Sequence, residues 1–196
     1  MKPIAWIVSA AAAVLSGCES SAGWRGRVAA GGGLSTLKTR NEGQSETANG
    51  EQASLRAEIA RPLEYADDVD VGLRVKAGRR TVDDDFGGIP YEFESNQLAL
   101  LPTVRGYVPL SGASRLYGEA FAGYEQFWGE DRNGARRSTG TDGGVAYGAG
   151  AGVEFDIGST RAIFVGLEWA RHDTKDFGVN LAFEDYSAVV GLAFRF

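Results

Sequence analysis

The sequence predicts an all-β protein, an eight-stranded antiparallel up-and-down barrel. Three observations carry this. Apolar residues recur at every second position in eight segments, the helical period is weak throughout, and the connections alternate between short and long.

The first segment, 23–37, sets Trp24, Val28, Ala30 and Leu34 against Arg25, Arg27 and Ser35. In 53–63, Leu55, Ala57 and Ile59 oppose Ser54, Arg56 and Glu58. In 68–78, Val69, Val71, Leu73, Val75 and Ala77 oppose Asp70, Arg74 and Lys76. The 95–108 segment sets Leu98, Leu100, Val104 and Val108 against Gln97, Thr103 and Arg105. In 115–128, Leu116, Ala120, Ala122, Tyr124 and Trp128 oppose Glu119 and Glu125. In 144–157, Val145, Tyr147, Ala149, Val153, Phe155 and Ile157 oppose glycines, Glu154 and Asp156. In 161–172, Ile163, Val165, Leu167 and Trp169 oppose Gly166 and Glu168. The last, 186–196, alternates Tyr186, Val190, Leu192, Phe194 and Phe196 with Ser187, Gly191 and Arg195.

Residues 38–52, 79–94 and 129–143 read as long polar loops, 62–68, 109–114 and 157–160 as short turns, and 172–180 as intermediate. Long loops at one end and tight turns at the other describe a meander, with both termini at the short-turn end.

Bulk composition narrows the function. The formal charge of −6 leaves no basic footprint, so nucleic acid is not an expected partner. A single cysteine and a single histidine exclude a disulfide framework and a Cys- or His-cluster metal site. With 43% hydrophobic residues the chain is too apolar for disorder. The expected organisation is an export signal over 1–22 and one barrel domain over 23–196.

The two faces decide where such a barrel sits. A soluble lipocalin-like carrier, anchored by a lipid, would turn its apolar face inward around a ligand. A membrane barrel turns that face outward into lipid. Here the apolar parity carries no charge in its central stretches. The other mixes Arg25, Arg27, Arg56, Glu58, Asp70, Arg74, Lys76, Arg105, Glu119, Glu125, Glu154, Glu168 and Arg195 with glycines and small residues. Eight strands leave only enough interior for interlocking side chains, so small residues and mixed charges belong inside. The aromatics agree. Trp24 and Phe196 fall at the turn end, and Tyr124, Trp128, Trp169 and Tyr186 toward the loop end, as two interfacial girdles. The sequence therefore predicts an eight-stranded antiparallel up-and-down transmembrane β-barrel.

The N-terminus, MKPIAWIVSAAAAVLSGC, has the charged start and uncharged stretch of a signal peptide. Its end, Leu15-Ser16-Gly17-Cys18, resembles the lipobox of bacterial lipoproteins, which implies lipidation at Cys18. Glu19 in place of aspartate then implies the outer membrane. Ordinary cleavage after Ser20-Ser21-Ala22 is the alternative, and it discards Cys18. The terminal strand, Tyr186, Val190, Leu192, Phe194 and Phe196, resembles the C-terminal β-signal of outer-membrane proteins, which implies handling by the barrel assembly machinery. The chain as a whole resembles the small eight-stranded bacterial outer-membrane barrels of the OmpX and OmpA transmembrane-domain type. That implies export through the periplasm to the outer membrane, where lipids and lipopolysaccharide are the expected partners of a monomer. No peptidoglycan-binding domain is expected after Phe196.

Catalytic candidates are few. Some barrels of this kind modify lipid A with a histidine, a serine and an acid. His172 is the only candidate base, and His172-Asp173-Thr174 lacks the serine two positions on that the deacylase pattern requires. The expectation is an exposed rim histidine and no enzyme. Asp83, Asp84 and Asp85 are consecutive, whereas calcium loops space their ligands, so no metal is expected. The YGAGAG run opens no helix. It reads as interior clearance for arginine and glutamate from neighbouring strands, so no cofactor is expected. What remains is a structural or surface-interaction role for the exposed loops; the filled interior excludes a wide porin channel.

Overall fold

In the computed structural model, the described residues are 23–41, 44–86, 89–110, 112–133, 136–176 and 179–196. Cys18 and the signal segment lie outside them. Eight antiparallel strands form a closed barrel: β1 Arg25–Asn41, β2 Gln44–Leu63, β3 Ala66–Phe86, β4 Ile89–Pro109, β5 Ser114–Asn133, β6 Arg136–Asp156, β7 Arg161–Asp176 and β8 Val179–Arg195. Each strand pairs with its neighbours in sequence, and β8 pairs with β1, from Arg25↔Arg195 to Arg40↔Asn180. The seam closes at its foot, where Gly23 N–H donates to the Phe196 carbonyl and Phe196 N–H to the Trp24 carbonyl. Closure removes the sheet edges that would otherwise invite foreign pairing.

The apolar parity faces outward. Leu55, Leu73, Leu100, Val104, Val145, Val165, Leu167, Val190 and Leu192 are all exposed, whereas Arg74, Lys76, Arg105, Glu125 and Glu154 are buried. A carrier needs the reverse arrangement, so the lipocalin-like alternative is excluded. The outward aromatics Tyr124, Trp128, Tyr186 and Phe196 are exposed, while Trp24 and Trp169 are half-buried. Trp169 meets Tyr147 edge-on at 6.0 Å. Tyr186, Val190 and Leu192 point outward on β8 in the same band.

One expectation is corrected. Residues 38–52, 79–94 and 129–143 are not loops; the strands run through nearly all of them as long hairpins. Beyond the outer band the alternation continues with its polarity reversed. Leu37, Ala48, Val82, Phe93, Phe127 and Phe183 face inward and form a buried cluster. On the outer side stand Lys38, Arg79, Asp83, Glu94, Thr139 and Thr141. The physical reason is the change of solvent: outside lipid the outer wall meets water, so polar residues move out and apolar ones move in.

Candidate functional site

The inward face is built in storeys. Nearest the short turns, Tyr107 on β4 donates its hydroxyl to Asp70 at 2.8 Å and accepts from Arg27 at 3.0 Å. Arg25, Arg27 and Arg115 place their guanidinium groups 5.3, 5.7 and 4.1 Å from the Tyr107 ring centre. Glu154, fully buried on β6, pairs with Arg27 and Arg115, and Arg195 lies 3.6 Å away while also pairing with Asp156. Glu154 and Arg195 thus belong to this lower group. An apolar layer with Tyr117 and Phe164, their rings edge-on at 6.1 Å, lies above it.

The middle storey holds most of the charges that the sequence assigns to the interior. Arg74 reaches Glu58 at 3.1 Å, Glu119 at 2.8 Å and Glu168 at 2.8 Å. Arg105 bonds Glu58 at 2.6 Å and also pairs with Glu119. Arg56 pairs with Glu168 and lies 3.6 Å from Glu119, and Lys76 reaches Glu168 at 3.4 Å. Each charge except Lys76 is shared among partners from more than one strand, the condition under which buried ions are tolerated. Glycines clear the space. A Cβ on Gly150 would lie 3.1 Å from Glu119 Oε1, one on Gly152 2.7 Å from the Tyr117 hydroxyl, and one on Gly148 2.5 Å from Phe121 Cζ. The clearance is therefore for β5 aromatics as well as for a carboxylate.

The upper storey was legible only in part. His172 is buried, which corrects the expectation of an exposed rim residue. Its Nδ1 lies 2.9 Å from Glu125 and its Nε2 3.2 Å from Asp185. Arg80, fully buried, sits 2.7 Å from Asp185 and 3.8 Å from Glu125, so the four groups close a ring in which each basic side chain lies between the two carboxylates. Ser35 adds a hydroxyl to Asp185 at 2.7 Å. The outward neighbours of His172 are Arg171 and Asp173, past the end of the apolar band at Trp169, so this storey stands above the membrane-spanning part. Burial lowers the His172 pKa, the Glu125 and Asp185 carboxylates raise it, and the net displacement is upward. Over the ring lies the apolar plug, where Phe183 stacks on Phe93 at 5.5 Å and meets Phe127 edge-on at 5.9 Å. The Arg80 guanidinium lies 4.3 Å from the Phe183 ring centre. Arg80 and Asp185 escaped the sequence reading because they lie where the alternation changes polarity. Among the described residues no group of histidine, cysteine and carboxylates is placed to hold a metal ion.

A closed sheet with an aliphatic band outside and paired charges inside defines a transmembrane β-barrel protein. The chain belongs to the outer membrane protein beta-barrel domain family, whose profile matches residues 7–196, and its place is the bacterial outer membrane. Its fold is similar to that of Neisserial surface protein A, at 15% identity and a TM-score of 0.54, covering 91% of this chain and 100% of that one. It is also similar to OprG of Pseudomonas aeruginosa, at 13% identity and a TM-score of 0.52, covering 89% of this chain and 96% of that one. The outer membrane protease OmpT of Escherichia coli gives a TM-score of 0.56 at 8% identity, covering 91% of this chain and 99% of that one. At such identities the likeness is one of fold alone. No curated protein sequence matches the chain.

Proposed function

We propose that this barrel serves a structural or surface-interaction role, presenting its long hairpins to the exterior on a rigid, filled cylinder. One observation carries the reading: among the described residues the interior holds ion-paired storeys, apolar layers and a phenylalanine plug, while the strands continue well past the outer band. In this reading outer-membrane lipid and lipopolysaccharide surround the band, and the barrel assembly machinery reads the strand ending at Phe196. The protein is a monomer without catalytic activity. Its leader is a signal peptide, with Cys18 either lipidated or removed.

The test is made on carbonate-washed outer membranes. A band that stays with the membrane and shifts on heating in SDS, with biotinylation of Lys38 on intact cells, is the expected result. A chain that stays unlabelled until cells are lysed removes the surface role. An enzymatic reading is tested separately. If a deletion strain has an altered lipid A profile and His172→Ala reproduces it, a role for His172 in lipid modification replaces this reading.

A further inference from the structure

His172 is buried with a carboxylate at each ring nitrogen, Glu125 on β5 at 2.9 Å and Asp185 on β8 at 3.2 Å. Only the imidazolium carries a hydrogen on both nitrogens. A neutral imidazole turns one lone pair toward a carboxylate, whichever tautomer it adopts. It also leaves both carboxylates to Arg80 on β3, the other basic group of the ring. The four groups therefore fit together in one charge state of His172, and His172 is the member whose ordinary pKa lies near neutrality.

Among the described residues the other walls add no charge at this level. Arg80 stands in register with Gln52 on β2 and Ser95 on β4, and His172 with Ala146 on β6. Ser35 on β1 gives Asp185 a hydroxyl. Lys76, lower on β3, pairs with Glu168 in the middle storey.

The ring is also the floor of the plug. Two residues closer to the hairpin tips on the same strand face, Ser35 is followed by Leu37, Arg80 by Val82, Ser95 by Phe93, Glu125 by Phe127 and Asp185 by Phe183. These apolar residues all belong to one buried cluster. Arg80 joins the two layers directly, with its guanidinium 4.3 Å from the Phe183 ring centre. Whatever fixes the ring thus fixes the backbone beneath the plug on β1, β3, β4, β5 and β8.

β7 departs from this pattern. The residue above His172 is Thr174, whose hydroxyl donates to Asp142 at 2.6 Å, and Asp142 is half-buried. A hydroxyl and a carboxylate, rather than an aromatic ring, cover the group that must gain and lose a proton.

We infer that the upper ring is a proton-operated latch on the phenylalanine plug: charged His172 holds the layer shut, and neutral His172 lets it open while the lower storeys stay closed. The latch is a property of the barrel itself and goes beyond the surface role, whatever the hairpins contact. Burial opposes charge on His172, the Glu125 and Asp185 carboxylates favour it, and the net displacement is upward. Protons therefore favour the closed layer, and the plug loosens as pH rises. Each pKa unit separating the closed and open forms changes their ratio tenfold. The middle storey is built from arginines, a lysine and glutamates, whose ordinary values lie far from neutrality, so it does not respond.

His172 is the only histidine of the chain, so the imidazole C–H signals of the refolded full-length protein in micelles report its charge unambiguously. Backbone amide protection factors, which discount the pH dependence of free amides, report the plug in the same samples. As pH rises above about 6.5, protection at Val82, Phe93 and Phe183 should fall at least about tenfold, at the pH where His172 loses its proton. Protection at Arg74 should hold. Glu125→Gln removes one carboxylate facing the imidazole and should move both transitions to lower pH together, which a merely structural role for Glu125 would not do. His172→Gln should abolish the pH dependence of the plug. Plug protection that stays constant through the His172 transition overturns the inference, even if both variants fail to fold. Loss of protection at Arg74 in step with the plug overturns it in favour of a loosening of the whole barrel.

Discussion

The Arg74 guanidinium on β3 and the Glu168 carboxylate on β7 meet at 2.8 Å, 94 positions apart in sequence and on opposite walls of the barrel. The contact spans the lumen, so the middle storey acts as a strut between strands that share no backbone hydrogen bond.

Removing one end of that strut should be costly. Arg74→Met leaves Glu58, Glu119 and Glu168 short of a partner in a buried site, a loss of about 3–5 kcal/mol. Urea unfolding of the barrel in lipid vesicles should show it as a lower midpoint. Adding Glu168→Gln should cost less than the sum of the two single changes, because both groups belong to one network.

Glu154 and Glu168 lie in different storeys, with Tyr117 and Phe164 between them. Their changes to Ala should therefore add to within about 0.5 kcal/mol, and together they should lower the unfolding midpoint. An unchanged midpoint in the double variant would refute the inward assignment of both carboxylates.

The upper ring makes stability depend on pH. Because the folded His172 pKa is raised, its contribution is complete below about 6.5 and is lost as pH rises through the higher folded value. The unfolding midpoint of the parent should fall as pH rises above about 6.5, the ordinary histidine value. His172→Gln should start lower and show a flatter profile, since Arg80, Glu125 and Asp185 keep their charges over that range. A parent profile as flat as the variant's would contradict the ring.

Phe183→Ala removes the residue on which both Phe93 and Phe127 pack, and the expected loss is about 3–5 kcal/mol. Amide hydrogen exchange should quicken around Val82 and Phe93 and stay slow at Arg74, because the plug and the strut belong to separate storeys.

Gln97 should behave in the opposite way. Its amide nitrogen and oxygen are both buried with no protein hydrogen-bond partner among the described residues. Replacing it with Met keeps the volume and removes an unmet polar group, so stability should hold or rise by about 1 kcal/mol. A clear loss, measured by the same urea titration, would show that the amide has a partner such as an ordered water.

Much of the architecture was legible because lipid imposes a strict rule on a strand: every second side chain must be apolar. Leu98, Leu100 and Val104 on one parity, with Gln97 and Arg105 on the other, fix both the strand and its orientation. The hairpins above the membrane were hidden because water replaces lipid there and the rule reverses. Phe93 and Val82 turn inward while Glu94 and Thr81 turn out, which breaks the phase of the pattern and imitates a polar loop. His172 was misplaced for the same reason. A lone histidine beside Arg171 and Asp173 looks exposed, and its partners Glu125 and Asp185 lie on other strands that only the closed barrel brings to it.

The hydrogen bonds joining Gly23 to Phe196, and Phe196 to Trp24, have a topological consequence. With the two ends of the barrel in contact, the chain is in effect a ring whose starting point is arbitrary. Joining them by a short linker and opening the ring at a hairpin tip should leave every neighbour relation of the strands intact. Such a permuted chain would end on a different strand. It would test whether the β1–β8 seam forms wherever the ring is opened.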